Sequence, residues 1–224
     1  MAKPGFSSNT FTIDSGVVDG QTIAKWTQDW WTWALNSSTT DSPFTQPDGT
    51  HVAANHNGDG GVFFIAGVQQ SAPFDVPLGK ALLVPVINFI DSAPELLPNK
   101  NKIDPNNPSF TNAIHATENA NIKADDASLS GLFAKIDGVS VPNLASDIVD
   151  SSFFDPGTAQ PGTLAMDFFG LNPFAGTPLG PAKSGGAWLM INNLTPGSHT
   201  LDFGGHSSAF GGFDLHVIDH INVV

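Results

Sequence analysis

The chain contains no cysteine, so its stability comes from packing or bound ions rather than from disulfides. It contains no arginine either, and the bidentate guanidinium clamp used on phosphate and carboxylate ligands is therefore missing. Its 8 basic residues, all lysine, face 21 acidic ones, a formal charge of −13. That charge repels nucleic acids and anionic membranes and excludes both as partners. No apolar run approaches the roughly 20 residues of a membrane-spanning helix, so no membrane span is expected. Residues Met1 to Ser8 hold no apolar stretch of signal-peptide length. Catalytic signatures are missing too. There is no Gly-x-Ser-x-Gly elbow, no phosphate-binding loop and no dinucleotide fingerprint. Glutamate is scarce, with only Glu95 and Glu118, while aspartate is abundant. Aspartate serves turns and caps, and glutamate serves helix interiors.

What is present describes strands joined by many turns. Hydrophobic residues make up 40% of 224 positions, enough for a real core, and 23 glycines and 17 prolines punctuate them. An all-β chain of this length is routinely a single domain, so residues 1–224 are expected to form one. Apolar residues at Ile23, Trp26, Trp30, Trp33 and Ala34 follow helical spacing and predict one amphipathic helix near 21–36, anchored in the core by its tryptophans. Trp31 falls off that stripe. Residues 62–67 read as a short buried strand, and Ala81 to Ile90 as a central strand with a bulge near Pro85. Residues 91–127 form a long polar stretch in which Asn112 to Lys123 is able to hold a short helix. Asp137-Gly138 marks a hairpin. The last forty residues read as an antiparallel meander: strand 187–191, the Pro196-Gly197 turn, strand 198–203, a loop over 204–212, and strand 213–224. The last strand turns Phe213, Leu215, Val217, Ile221 and Val223 inward. Asp219 interrupts that face and calls for a bulge or a hydrogen-bonded buried carboxylate.

Several patterns bear on chemistry. Asn55-His-Asn57-Gly-Asp59-Gly60 matches the first half of a calcium loop, making Asn55, Asn57 and Asp59 candidate ligands. The twelfth position is Ala66 rather than glutamate, and a plain turn entering a strand accounts for the same residues. His216 and His220 share a strand face about 13 Å apart, too far to share one zinc ion unless a bulge intervenes. His199 reads as a buried, hydrogen-bonded residue, and His206 as the histidine freest to act.

Motif order carries a resemblance. Trp26-x3-Trp30-Trp31-x-Trp33, Gly61-Val-Phe-Phe-Ile-Ala-Gly67, Val76-Pro-x-Gly-Lys80, Pro85-Val-Ile-Asn88 and Leu194-x-Pro-Gly-x-His199-x-Leu201 follow one another in that order. Together they resemble a family of uncharacterised, mostly exported bacterial β-sandwich proteins, over roughly residues 19 to 224. Its members often carry a cleaved signal peptide and a cysteine pair, and this chain shows neither. The resemblance implies a fold and a compartment, not a reaction.

The resulting expectation is an all-β, two-layer antiparallel sandwich, jelly-roll or immunoglobulin-like, with one N-terminal helix. It would be extracellular or at the cell surface, exported without a cleaved signal peptide, with the cytoplasm as the alternative. The expected role is non-catalytic: adhesion, matrix or surface assembly, with a carbohydrate, a cell-surface component or a second copy as partner. A secreted carbohydrate-active enzyme on a jelly-roll scaffold is the alternative. The only cofactor expected is calcium, on Asn55, Asn57 and Asp59.

Overall fold

The computed structural model describes residues 8, 10–54, 57–97, 104, 106–172 and 174–224. Strands outweigh helices, 36% to 24%, which makes the chain β-rich. In chain order come β1 (Thr12–Asp14), β2 (Val17–Val18), β3 (Gln21–Thr22), α1 (Ile23–Asn36), β4 (Val62–Phe64) and β5 (Phe74–Val76). Then follow β6 (Ala81–Ser92), α2 (Ala93–Leu96), α3 (Pro108–Ala127), β7 (Leu129–Ile136), β8 (Val139–Ser140) and α4 (Leu164–Phe168). β9 (Ala182–Asn192), β10 (Gly197–Ser207) and β11 (Phe213–Val223) close the chain.

One sheet has the order β1-β9-β6-β4 and a second the order β5-β11-β10-β7-β8, while β2 and β3 form a small ribbon. Most pairs are antiparallel as expected, but β4 pairs β6, and β5 pairs β11, in parallel. The reason is topological. After β4 the chain crosses to the second sheet as β5 and returns as β6, and such a crossover brings strands back in the same direction. Between the sheets lies one apolar core, with Leu82, Val84, Val86 and Leu189 on one side and Leu201, Phe203, Val217 and Ile221 on the other.

The strand β6 is buried on both faces, and its alternation changes midway. Its pairing with β9 shifts register between Pro85 and Ile87. Proline has no N–H for the ladder, so a bulge is readily accommodated there. Before the bulge, Leu82, Val84 and Val86 face the core between the sheets. After it, the even-numbered side chains turn to the opposite face, where Ile90 joins the core built on α1. Along its outer edge β6 is paired by β4 only over Ala81, Leu82 and Leu83.

Thr22 caps α1, its hydroxyl accepting from Lys25 N at 3.2 Å. Trp26, Trp30 and Trp33 are buried as the periodicity predicts. Each ring nitrogen donates to a backbone carbonyl: Trp26 to Val18 at 2.9 Å, Trp30 to Ile65 at 2.8 Å and Trp33 to Ala54 at 3.0 Å.

The expectation of one helix is corrected by α3, which runs for 20 residues. Pro108 occupies its first turn, and Asn107 Oδ1 accepts from Ser109 N at 3.0 Å and from Phe110 N at 3.3 Å. Its buried residues are Ile114, Glu118 and Ile122, so the middle of its apolar stripe is a carboxyl group and the period is masked. At Gly185 of β9 a methyl group would sit 2.5 Å from the Ile122 side chain, so glycine is what lets α3 approach the sheet.

The C-terminal meander forms as read, except that β10 continues through Ser207 where a loop was expected. Asp219 is buried in a continuous register with Leu201, so no bulge forms. Its Oδ1 instead accepts from Gln70 N at 2.8 Å. Phe213 lies 37% exposed, outside the core face that its alternation assigned it. Because β11 sits between β10 and β5, removing residues 213–224 takes the buried side chains of Val217, Ile221 and Val223 out of the core and frees two edges. At roughly 1.5–3 kcal/mol for each side chain, the loss rivals a domain's whole net stability. The expected outcome is a truncated chain with no cooperative melting transition in calorimetry. A chain that melts as the intact one does contradicts this role for β11.

Candidate functional site

Three depressions follow the edge of β6 that β4 leaves uncovered. The first, about 480 Å³, is walled by Trp30, Trp31, Leu35, Phe44, Val68, Asn88, Asp167 and Phe168. The second, about 350 Å³, shares Trp31, Asn88 and Phe168 with it and adds Phe89, Ile90, Glu95, Phe210 and Phe213. The third, about 300 Å³, shares Ile90, Glu95 and Phe210 with the second and adds Asp91, Asn121 and Asp125. They form one succession, carbon-lined at the α1 end and carboxylate-lined at the α3 end. Among the described residues no lysine or histidine lines any of them.

Trp31, the tryptophan off the helical stripe, is the residue that stands apart here. It is 8% exposed, packed edge-on against Trp30 with ring centroids 5.0 Å apart and covered by Phe168 at 6.2 Å. Trp188 completes the contrast, donating to Gly185 O at 3.3 Å. Trp31 Nε1 is buried without a hydrogen-bond partner, and so is Asn88 Nδ2 on the same walls. Buried donors are nearly always paired, and leaving one unpaired costs about 1–3 kcal/mol. Two orphaned donors on one apolar cavity wall point to an acceptor supplied from outside the chain.

Exposed carbon marks the rim, with Phe168 58% and Phe210 78% exposed. Phe210 also adopts φ 53°, a left-handed conformation that is an outlier for a bulky side chain. Strain of this kind collects at functional sites, and here it holds a ring out over the groove.

Beneath the third depression lies a set of carboxyl groups. Asp91, on β6, is buried, and its Oδ2 has no partner. Burial pushes its carboxyl up to about 6, with the charge of Asp125 adding to the effect and the Asn121 amide opposing it. Glu118, at 0% exposure, has neither oxygen paired. Burial and then the charge of Asp91 push it up to about 8, against the pull of Lys183. Asp126 is likewise raised, by burial first and then by the hydrogen bond and charge it shares with Asp150. Lys183, also buried, is tied down elsewhere: its Nζ donates to Ser151 O at 2.5 Å and lies 3.8 Å from Asp150 Oδ2. It sits 5.7 Å from the Phe153 ring, on which His115 of α3 stacks at 3.6 Å.

The residues singled out in the sequence lie elsewhere. Asn55 falls outside the described residues. Asn57 is buried, and its carboxamide serves β4: Nδ2 donates to Val52 O at 2.6 Å and Phe64 O at 2.9 Å, and Oδ1 accepts from Phe64 N at 2.7 Å. A calcium ion would draw on that oxygen only by displacing the strand. Asp59 is exposed at the turn. Among the described residues no group of three or more His, Asp or Glu is arranged to hold a metal ion.

The histidines pair with aspartates. His199 Nδ1 lies 2.7 Å from Asp137 Oδ2, and its Nε2 2.7 Å from Thr195 O, the buried role expected of it. His206, expected in a loop, is on β10, 2.9 Å from Asp214 Oδ1. His216 meets Asp202 at 2.9 Å and His220 meets Thr200 at 3.3 Å, so the two are not brought together.

No family model, curated protein or solved structure matches the chain.

Two outcomes follow from this geometry. Asn57→Ala strips three backbone groups of their partner and is expected to cost several kcal/mol, at about 1–3 kcal/mol per unpaired group, read as a lowered denaturant midpoint. An unchanged midpoint would show that the turn is not held by this side chain. The second outcome concerns pH. Glu118 rises from an ordinary 4.5 to about 8 in the folded chain, so between those values the unfolded chain releases a proton that the folded one keeps. Stability therefore falls as pH climbs through that window and levels off above it. Asp91 and Asp219, raised from 3.8 to about 6, act in the same direction at lower pH. Calorimetry is expected to show a melting temperature lower at pH 8.5 than at pH 5. Glu118→Gln is expected to flatten the slope and raise the midpoint at pH 8.5 by at least about 2–4 °C, the equivalent of about 1 kcal/mol.

Proposed function

We propose that this chain is a non-catalytic binding protein whose groove along β6 takes a ligand with an apolar body and an oxygen acceptor. The observation that carries the reading is the pair of orphaned donors, Trp31 Nε1 and Asn88 Nδ2, on the wall of a carbon-lined cavity. Cavities of about 300–1,000 Å³ lined by aromatic side chains with a few convergent polar groups are the usual form of small-molecule sites. Asp167 and Glu95 on the groove walls add acidic groups that disfavour an anionic head such as a fatty-acid carboxylate. Two features speak against the carbohydrate-active alternative. Trp31 is edge-packed and 8% exposed rather than offering its face to a sugar, and Glu118 is too deeply buried to touch a substrate. The proposed setting is extracellular or at the cell surface, on a two-layer sandwich. There a binding protein of this kind serves adhesion or surface assembly.

Prodan, a neutral naphthalene carrying a carbonyl oxygen and a polarity-sensitive emission, is a suitable probe. The expected result is saturable binding with blue-shifted emission. Trp31→Phe, which keeps an aromatic ring but removes the donor, weakens Kd about 3–10-fold, as the loss of one hydrogen bond implies. Cello- and xylo-oligosaccharides are expected not to compete. Prodan binding that is absent, or indifferent to Trp31→Phe, overturns the assignment, and competition by an oligosaccharide returns the groove to a sugar ligand.

A further inference from the structure

The groove has two chemically different ends. One is walled by Trp31, Phe168 and Val68. The other carries three carboxyl groups from three elements: Asp91 on β6, Glu95 on α2 and Asp125 on α3. A cluster of acids in a chain with a charge of −13 says little by itself. Asp91 is different in kind. It is 5% exposed, its Oδ2 has no partner, and it forms part of the wall of the third depression. The nearest buried cation, Lys183, is engaged by Ser151 and Asp150 instead. A buried carboxylate is ordinarily paired or neutralised, since burying a charge without a partner is costly. Here Asp91 is buried near two further carboxyl groups: the charge of Asp125 opposes its ionisation, and its own charge opposes that of Glu118. Just above this end stands the exposed ring of Phe210, with a face able to attract a cation.

Resting on the reading of the groove as an apolar binding site, we infer that its ligand is a cationic amphiphile. An ammonium head sits between Asp91 and Asp125, and the apolar body lies along Phe210, Phe213 and Trp31. Such a ligand places a positive charge beside Asp91 and carbon against the aromatic walls. Recognition involves no covalent step.

The test compares n-octylammonium with 1-octanol, which share a chain and differ in the head, by titration calorimetry at pH 7.5 and low salt. The expected result is that both bind and the ammonium binds at least tenfold tighter. In D91N that preference falls several-fold and in D91N/D125N it approaches unity, while octanol affinity stays constant. The substitution of Asp91 removes a buried charge without changing shape, so the variant is expected to fold, and its octanol binding certifies that it has. D75N, which removes a charge from β5 in the other sheet, is expected to leave the preference intact. Octanol binding with no preference for the ammonium overturns the head-group inference alone. Binding of neither compound overturns the groove reading with it. A preference lost equally in D75N and D91N assigns the effect to net charge and also overturns the inference.

Discussion

The pairing of β6 with β9 is the constraint on which the remaining structure depends. Both strands are buried on both faces, and each face has its own core. The second sheet packs on one side through Leu82, Val84 and Leu189, and the tryptophan helix α1 packs on the other through Leu83, Trp188 and Met190. A strand in that position has no solvent face on which to place a polar residue, so a break in its alternation has large consequences. The bulge between Pro85 and Ile87 is that break. Because side chains alternate with a period of two, one inserted residue moves every later side chain to the other face. Asn88 would otherwise point into the dry core between the sheets. Displaced, it lines the cavity beside Trp31, and the groove exists because of that shift.

The same pair of strands accounts for the placement of α3. Beyond the bulge β6 carries Ile87 and Phe89 into a small apolar cluster with Ile122 of α3. Gly185 on the neighbouring strand removes the side chain that would keep the helix away. Close approach has an electrostatic consequence, since α3 brings Glu118, Asp125 and Asp126 over a sheet that already holds Asp91. Protonation is the cheapest response to crowded, desolvated carboxyl groups, which is why burial dominates every one of their shifts. The helix is thus held by a stripe whose centre is polar and, near neutral pH, largely uncharged.

How far these features were legible in the sequence follows from the same physics. The spacing of Trp26, Trp30 and Trp33 is a pure helical signal because those residues answer to one core, and it located both α1 and its role. Even Trp31 announced itself, since an aromatic residue off the stripe needs a separate explanation. The bulge at Pro85 was readable because proline lacks an N–H, but its effect on Asn88 was not, since a reversal of alternation shows only when the partner strand is known. The length of α3 was hidden by Glu118, a buried glutamate that sequence periodicity counts as exposed. The carboxyl cluster was hidden differently. Asp91, Glu95 and Asp125 come from separate elements, and in a chain with 21 acidic residues no spacing distinguishes them. The Asn57 turn admits two readings for a related reason. Carboxamide oxygens suited to calcium are equally suited to a backbone N–H, and here Phe64 N holds the oxygen.

The distribution of unsatisfied polar atoms connects the fold to the proposed site. Buried side-chain atoms without partners belong to Trp31, Asn88, Asp91, Glu118, Asp126 and Ser184, with Asp219 Oδ2 the remaining one. Three of them, Trp31, Asn88 and Asp91, line the groove, and Glu118 and Asp126 belong to α3, whose Asn121 and Asp125 line its far end. Unpaired groups scattered at random would be an ordinary imperfection of packing. Gathered along one groove they are a local cost, at about 1–3 kcal/mol for each group left unpaired. That cost is sustained by two cores that are otherwise well packed. Where the other tryptophans of α1 find carbonyl partners at 2.8–3.0 Å, Trp31 on the cavity wall finds none, and that difference is what the proposed ligand would resolve.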